Sequence, residues 1–173
     1  MPRPSESLLR GLARVAICIA NLPSMRHNSS AMPQAARILA DVTNPLLALL
    51  WVVALVASHR RPGILLWVLA SAAGLAMAVM LAEYGKHHHV WPHHPSFPSG
   101  HETFGTSVAT SLVWRDPRWL PVALLAAATL AWALVAARYH TGVDVAGAAV
   151  LGPVVTSIPH VLLRPDKASA APS

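Results

Sequence analysis

Between Pro62 and Ala82 the chain carries no charged residue, and most of its side chains there are Leu, Ala, Val, Met, Ile or Trp. A stretch of about 20 such residues has the length needed to cross the hydrocarbon core of a bilayer as a helix. Three segments read this way: Ile38 to Ser58, Ile64 to Glu83, and Trp119 to Ala137. A fourth, Val143 to Leu163, is apolar but holds Pro153 and Pro159. His101 to Trp114 is short and rich in small residues, and is expected to be a span flanked by other helices. Ser7 to Asn21 is the weakest candidate. The expected fold is an all-α polytopic membrane bundle of five to six transmembrane helices. Residues 1–35 form an N-terminal segment with a candidate first helix, 36–165 the transmembrane core, and 166–173 a polar tail.

Composition agrees with lipid as part of the solvent. Apolar residues make up 54% of the chain and charged residues 12%, against roughly 25% charged in a soluble domain. The net charge of +6 raises a nucleic-acid reading. It is rejected because Lys and Arg stand in short groups between apolar runs rather than on one face. Such groups beside membrane spans act as orientation signals. The single cysteine, Cys18, excludes an internal disulfide and a Cys metal pair. Arg3, Arg10 and Arg14 precede the apolar stretch Val15 to Ala20, as in a signal peptide, but no small-x-small cleavage site follows. A retained first helix is preferred.

If the helices alternate sides, Arg60-Arg61, Arg115 with Arg118, and Arg164 with Lys167 share one face. The positive-inside rule makes that face cytoplasmic. The loop Gly85 to Gly100 and the turn Arg138 to Gly142 then share the opposite face. With six helices both termini are cytoplasmic. Trp91, Trp114 and Trp119 fall near helix ends, as in an aromatic belt.

The polar residues concentrate on that opposite face. The loop GKHHHVWPHHPSFPSG runs into His101-Glu102-Thr103. Ser99 and Glu102 fit an S-x-x-E capping box, so a helix is expected to start at Gly100. Ser99 reads equally well as a plain cap or as part of an anion site. The free N–H groups and dipole of a helix N-terminus suit phosphate, and Gly100 lets the backbone approach closely. Thr141 and Asp144 fit a second capping box. His140 and Asp144 are four residues apart, hence on one face if helical geometry starts near His140. A carboxylate there can hold the Nδ1 proton and leave Nε2 free as nucleophile or base. A structural His–Asp pair is the plainer alternative, made weaker because ionisable groups near a span are expensive. One phosphate could then meet Lys86, Ser99, the Gly100 N–H, His101 and His140.

Pro98-Ser99-Gly100-His101 followed by His140-x-x-x-Asp144 resembles the type 2 phosphatidic acid phosphatase family, whose members share a helical core with vanadium haloperoxidases. The family pattern has a Lys followed at fixed spacing by Arg-Pro, then Pro-Ser-Gly-His, then Ser-Arg upstream of His-x-x-x-Asp. The resemblance covers Lys86 to Asp144 and the flanking helices, about half of the chain. Lys86 holds the Lys position, His93-His94 stand where the pattern has Arg-Pro, and Leu134 stands at the second arginine position. Arg138 lies two residues before His140.

The resemblance implies that His140 attacks phosphorus to form a phosphohistidine. Asp144 would orient His140, and His101 would protonate the leaving oxygen and later help activate water. Lys86, Ser99 and the Gly100 N–H would stabilise the transferring phosphoryl group, with His93 and Arg138 as helpers. This chemistry requires no metal and no cofactor. The implied partner is a membrane lipid phosphate or diphosphate monoester within the bilayer. The active face would be periplasmic, in a bacterial inner membrane.

Three other readings compete. His87-His88-His89 with His93 and His94 is a His-rich tract of the kind that binds or transports metal, though it lacks Cys and carboxylate. A phosphotransferase would pass the group from His140 to an acceptor other than water. A catalytically silent structural member would have no reason to keep His101, His140 and Asp144. Asp41 and Asn44 share one face of a predicted span and are expected to bond to another helix. Glu83 and Lys86 are expected to form a local ion pair.

Overall fold

The computed structural model describes residues 31–91 and 94–163. The candidate helix over Ser7 to Asn21, the loop residue His93 and the polar tail lie outside them. The described residues form helices α1 (Ala31–Ser58), α2 (Ile64–His87), α3 (Gly100–Arg115), α4 (Leu120–Ala136) and α5 (Gly142–Leu162), with a short 3-10 turn at Pro117–Trp119. Among them, α1, α2, α4 and α5 are long and apolar enough to cross a membrane. α1 starts earlier than its apolar run, because its first turns carry Arg37 and Asp41 on an exposed face.

Burial runs opposite to that of a soluble protein. Large apolar side chains point outward: Leu46, Leu49, Val52 and Val56 on α1, and Leu65, Leu69, Met77 and Met80 on α2. The inward stripes are small. On α1 they are Ala36, Ala40, Thr43, Leu47 and Ala54; on α2 they are Ala70, Ser71, Gly74, Ala78 and Ala82. Lipid tails are as apolar as Leu, so outward Leu costs nothing in a bilayer. Helix association there depends on close packing of small residues. Gly74 shows how close: a Cβ on it would stand 2.7 Å from the Thr156 Cα of α5.

α3 is the hub. Its 16 residues pack against α1, α2, α4 and α5, and 11 of them are buried, five of these Thr or Ser. The hydroxyls make this tolerable by bonding back along their own helix. Thr103 donates to the Ser99 carbonyl at 2.8 Å, Thr106 to Glu102 at 2.7 Å, Thr110 to Thr106 at 2.6 Å and Ser111 to Ser107 at 3.1 Å.

The helices alternate in direction. Arg115 at the end of α3 lies over the Trp67 ring near the start of α2, 5.9 Å from its centroid, so the Arg60-Arg61 and Arg115–Arg118 connections share one end. The 88–99 loop and the 137–141 turn share the other. Trp114 and Trp119 stand half-buried at element ends and also contact the bundle. Trp114 turns inward, stacks on His160 at 5.4 Å and donates to Ser157 Oγ at 3.0 Å. Trp119 packs on the inner apolar cluster of Leu47, Val108 and Ala123.

Candidate active site

Three backbone features place the polar residues. α3 starts at Gly100 because Ser99 caps it, its hydroxyl accepting from the Glu102 N–H at 3.3 Å. α4 stops at Ala136 through a Schellman closure. Arg138 takes left-handed φ of 61°, and the Tyr139 N–H reaches back to the Leu134 carbonyl at 3.0 Å. α5 then starts at Gly142 under a complete capping box. The Thr141 N–H donates to Asp144 Oδ2 at 2.9 Å, and the Asp144 N–H donates to Thr141 Oγ1 at 3.3 Å.

The two motif turns touch. The Ser99 N–H donates to the Asp144 backbone carbonyl at 3.0 Å, which joins the start of α3 to the start of α5. This bond also corrects the expected S-x-x-E box. Only its Ser99 half forms, since the Ser99 N–H is taken by Asp144 and is not left for the Glu102 carboxylate. Glu102 is fully buried, and neither of its carboxylate oxygens has a partner among the described residues. On the loop side, the Phe97 ring lies against Gly147 of α5 and meets Trp91 edge-on at 5.0 Å. These rings fasten the loop onto the bundle.

His140 sits in the turn, half-buried, with Nδ1 3.9 Å from Asp144 Oδ2. That is an ion-pair separation rather than a hydrogen bond. Both His140 Nδ1 and Asp144 Oδ1 are buried without a hydrogen-bond partner among the described residues. Burial pulls the His140 pKa below its ordinary value, Asp144 opposes this, and the positive fields of Lys86 and His101 reinforce it. At neutral pH the ring is therefore mostly neutral, as a nucleophile or base requires. Lys86 and His101 are thus near enough for their charge to act on His140.

Lys86 stands in the last turn of α2. It pairs with Glu83 at 2.7 Å, as its spacing predicts. Gly100 faces this pair: a Cβ there would stand 3.0 Å from Glu83 Oε1 and 3.1 Å from Lys86 Nζ. His101 is exposed, and its backbone carbonyl accepts from Asn44 Nδ2 at 3.1 Å. Asn44 thus bonds to another helix as expected, and fixes the first turn of α3. Asp41 is exposed on the outer face of α1 instead.

The residues proposed to complete a clamp are less gathered. The Arg138 side chain is exposed, with no hydrogen bond or ion pair to a described residue. Leu134 is fully buried with Ala40, Leu130 and Val145, so the second arginine position of the family pattern is apolar core here. His87, His88 and His89 are exposed, and among the described residues no group of three or more metal-ligating side chains converges. Sequence reasoning assigned no role at this site to Asn44 or Glu83. Asn44 had a usable signal, a polar side chain inside an apolar run.

No family model, curated protein or solved structure matches the chain.

Proposed function

We propose that the protein is a membrane phosphatase that hydrolyses a lipid phosphate or diphosphate monoester through a phosphohistidine on His140. The observation that carries this reading is the bond from the Ser99 N–H to the Asp144 carbonyl. It holds an anion-receptive helix start, α3, against a second helix start that bears a His–Asp pair. The type 2 phosphatidic acid phosphatase resemblance, absent from the comparisons, enters as part of this proposal.

In the proposed reaction His140 Nε2 attacks phosphorus and the bond to the leaving oxygen breaks. His101, exposed beside the site, gives that oxygen its proton. Asp144 holds the Nδ1 proton and offsets the positive charge that His140 gains. Lys86 and the Gly100 N–H take phosphoryl oxygens whose charge grows in the transition state. Ser99 fixes the turn through its cap. Water, activated by His101, then attacks the phosphohistidine and releases inorganic phosphate. Arg138 and His93 are proposed as accessory cations.

In the same proposal α3 is a fifth crossing and the 7–21 segment a sixth. The Arg60, Arg61, Arg115 and Arg118 end faces the cytoplasm by the positive-inside rule. The site then opens to the periplasm of a bacterial inner membrane, where a lipid phosphate in the outer leaflet can reach it. The test is phosphate release by the purified protein in detergent micelles from phosphatidic acid, phosphatidylglycerol phosphate and polyprenyl diphosphate. Release from one of them, retained with chelator and lost in His140→Ala, is expected. No release from any of the three, or full release by the variant, contradicts the reading.

A further inference from the structure

The side chain lying closest over the Gly100 end of α3 is an anion. Glu83 Oε1 is 3.0 Å, and Lys86 Nζ 3.1 Å, from the position a Gly100 Cβ would take, and the two are 2.7 Å from each other. A carboxylate beside a helix N-terminus and a lysine takes the same two partners as a phosphoryl oxygen. Lys86, one ligand of the proposed phosphate, is therefore engaged before substrate arrives, and the carboxylate that holds it stands beside the start of α3, where the other ligand lies. Glu83 is not locked there. Its side chain is 60% exposed, against 24% for Lys86, so it can swing into water while Lys86 stays.

We infer that Glu83 is an internal competitor of the substrate phosphate, a carboxylate that occupies the anion position at the start of α3 and must leave for phosphate to bind. This rests on the phosphatase reading and adds to it a residue that sets affinity and anion selectivity. An exposed ion pair and a helix-terminal charge are each weak, so displacement is cheap: neutralising Glu83 is expected to tighten anion binding about three- to tenfold. The group does not touch the reacting atoms, so turnover is expected to stay within about twofold.

If Glu83 only held Lys86 in place, the sign would reverse. Without its carboxylate Lys86 would wander, and phosphate would bind more weakly. The two accounts therefore differ in the direction of one number.

The experiment compares the full chain with Glu83→Gln and Glu83→Ala in detergent micelles. KM and kcat are measured on a short-chain phosphatidic acid, and the dissociation constant of inorganic phosphate is measured separately by thermal shift. Lower KM, tighter phosphate binding and unchanged kcat in both variants are expected. Phosphate binding that is unchanged or weaker overturns the role of Glu83. The binding arm needs no turnover, which separates the two claims: absence of phosphate binding in the parent takes down the site itself, and with it this inference. Glu83 is largely exposed, and the Ala variant provides a second reading of the same sign.

Discussion

Helices α3 and α5 begin with the same local pattern, a hydroxyl residue followed three positions later by an acid: Ser99 with Glu102, and Thr141 with Asp144. At α5 both halves of the box form, and the Asp144 oxygen that accepts from the Thr141 N–H is also the one facing His140 Nδ1 at 3.9 Å. At α3 only the hydroxyl caps. The backbone N–H that Glu102 should take is given to Asp144, and the Glu102 carboxyl is buried with no hydrogen-bond partner among the described residues. The difference lies in tertiary structure. One helix start is finished by its own sequence, and the other is finished by its neighbour. In finishing it, α5 brings the His–Asp pair to the open end of α3.

Exchanging the parts of this comparison should give effects of very different size. His140→Ala removes the proposed nucleophile at the α5 end and should lower kcat by about 10⁴-fold or more. His101→Ala at the α3 end removes a proton donor and should cost about 10²- to 10⁴-fold. Steady-state phosphate release checks both, and a larger loss in the His101 variant would reverse the assigned roles.

The two acids provide a sharper test. Asp144→Asn should lower kcat by about 10³-fold, while Glu102→Gln should leave it within about threefold, because its carboxyl meets no group of the site. The pH profile carries a signed check. Activity needs neutral His140, so it is present above the His140 pKa and lost as pH falls through it. Asp144 raises that pKa and Lys86 lowers it. The acid limb should thus move to lower pH in Asp144→Asn and to higher pH in Lys86→Met. Shifts in the opposite sense would show that these groups do not act on His140.

Leu134→Arg restores the arginine of the family pattern. Leu134 is fully buried beside Ala40, Leu130 and Val145, so the change should cost about 3–5 kcal/mol by burying an unpaired charge and should reduce the yield of monodisperse protein. A stable variant with tighter phosphate binding would show that α4 can turn this position toward the site. The smallest effects belong to the caps. Ser99→Ala and Thr141→Ala should each cost about 1 kcal/mol, read as thermal unfolding in micelles.

Much of the frame is legible in the sequence, for local reasons. The charge-free run after Pro62, the start of α3 at Gly100 and the start of α5 after Thr141 follow from hydropathy and from hydroxyl caps, which act within four residues. The His140–Asp144 proximity does not come from helical spacing, because α5 begins at Gly142 and His140 stands in the turn before its cap. What the sequence hides is set by neighbours distant along the chain. The failed half of the Ser99 box depends on the Asp144 carbonyl, 45 positions away. The burial of Leu134 depends on Ala40 and Val145. Glu83 looks like an ordinary partner of Lys86 until Gly100 is brought beneath them. Pattern rules carry no information about such contacts.

The central claim is that His140 carries the phosphoryl group. It is tested most directly by rapid acid-free quench of the protein turning over a lipid substrate labelled in its phosphate, followed by peptide mapping. The account predicts an acid-labile, base-stable label on the peptide containing His140, absent in His140→Ala and accumulating in a variant slowed at its water step. Label on any other residue, or substrate turnover in His140→Ala at the parent rate, would contradict it.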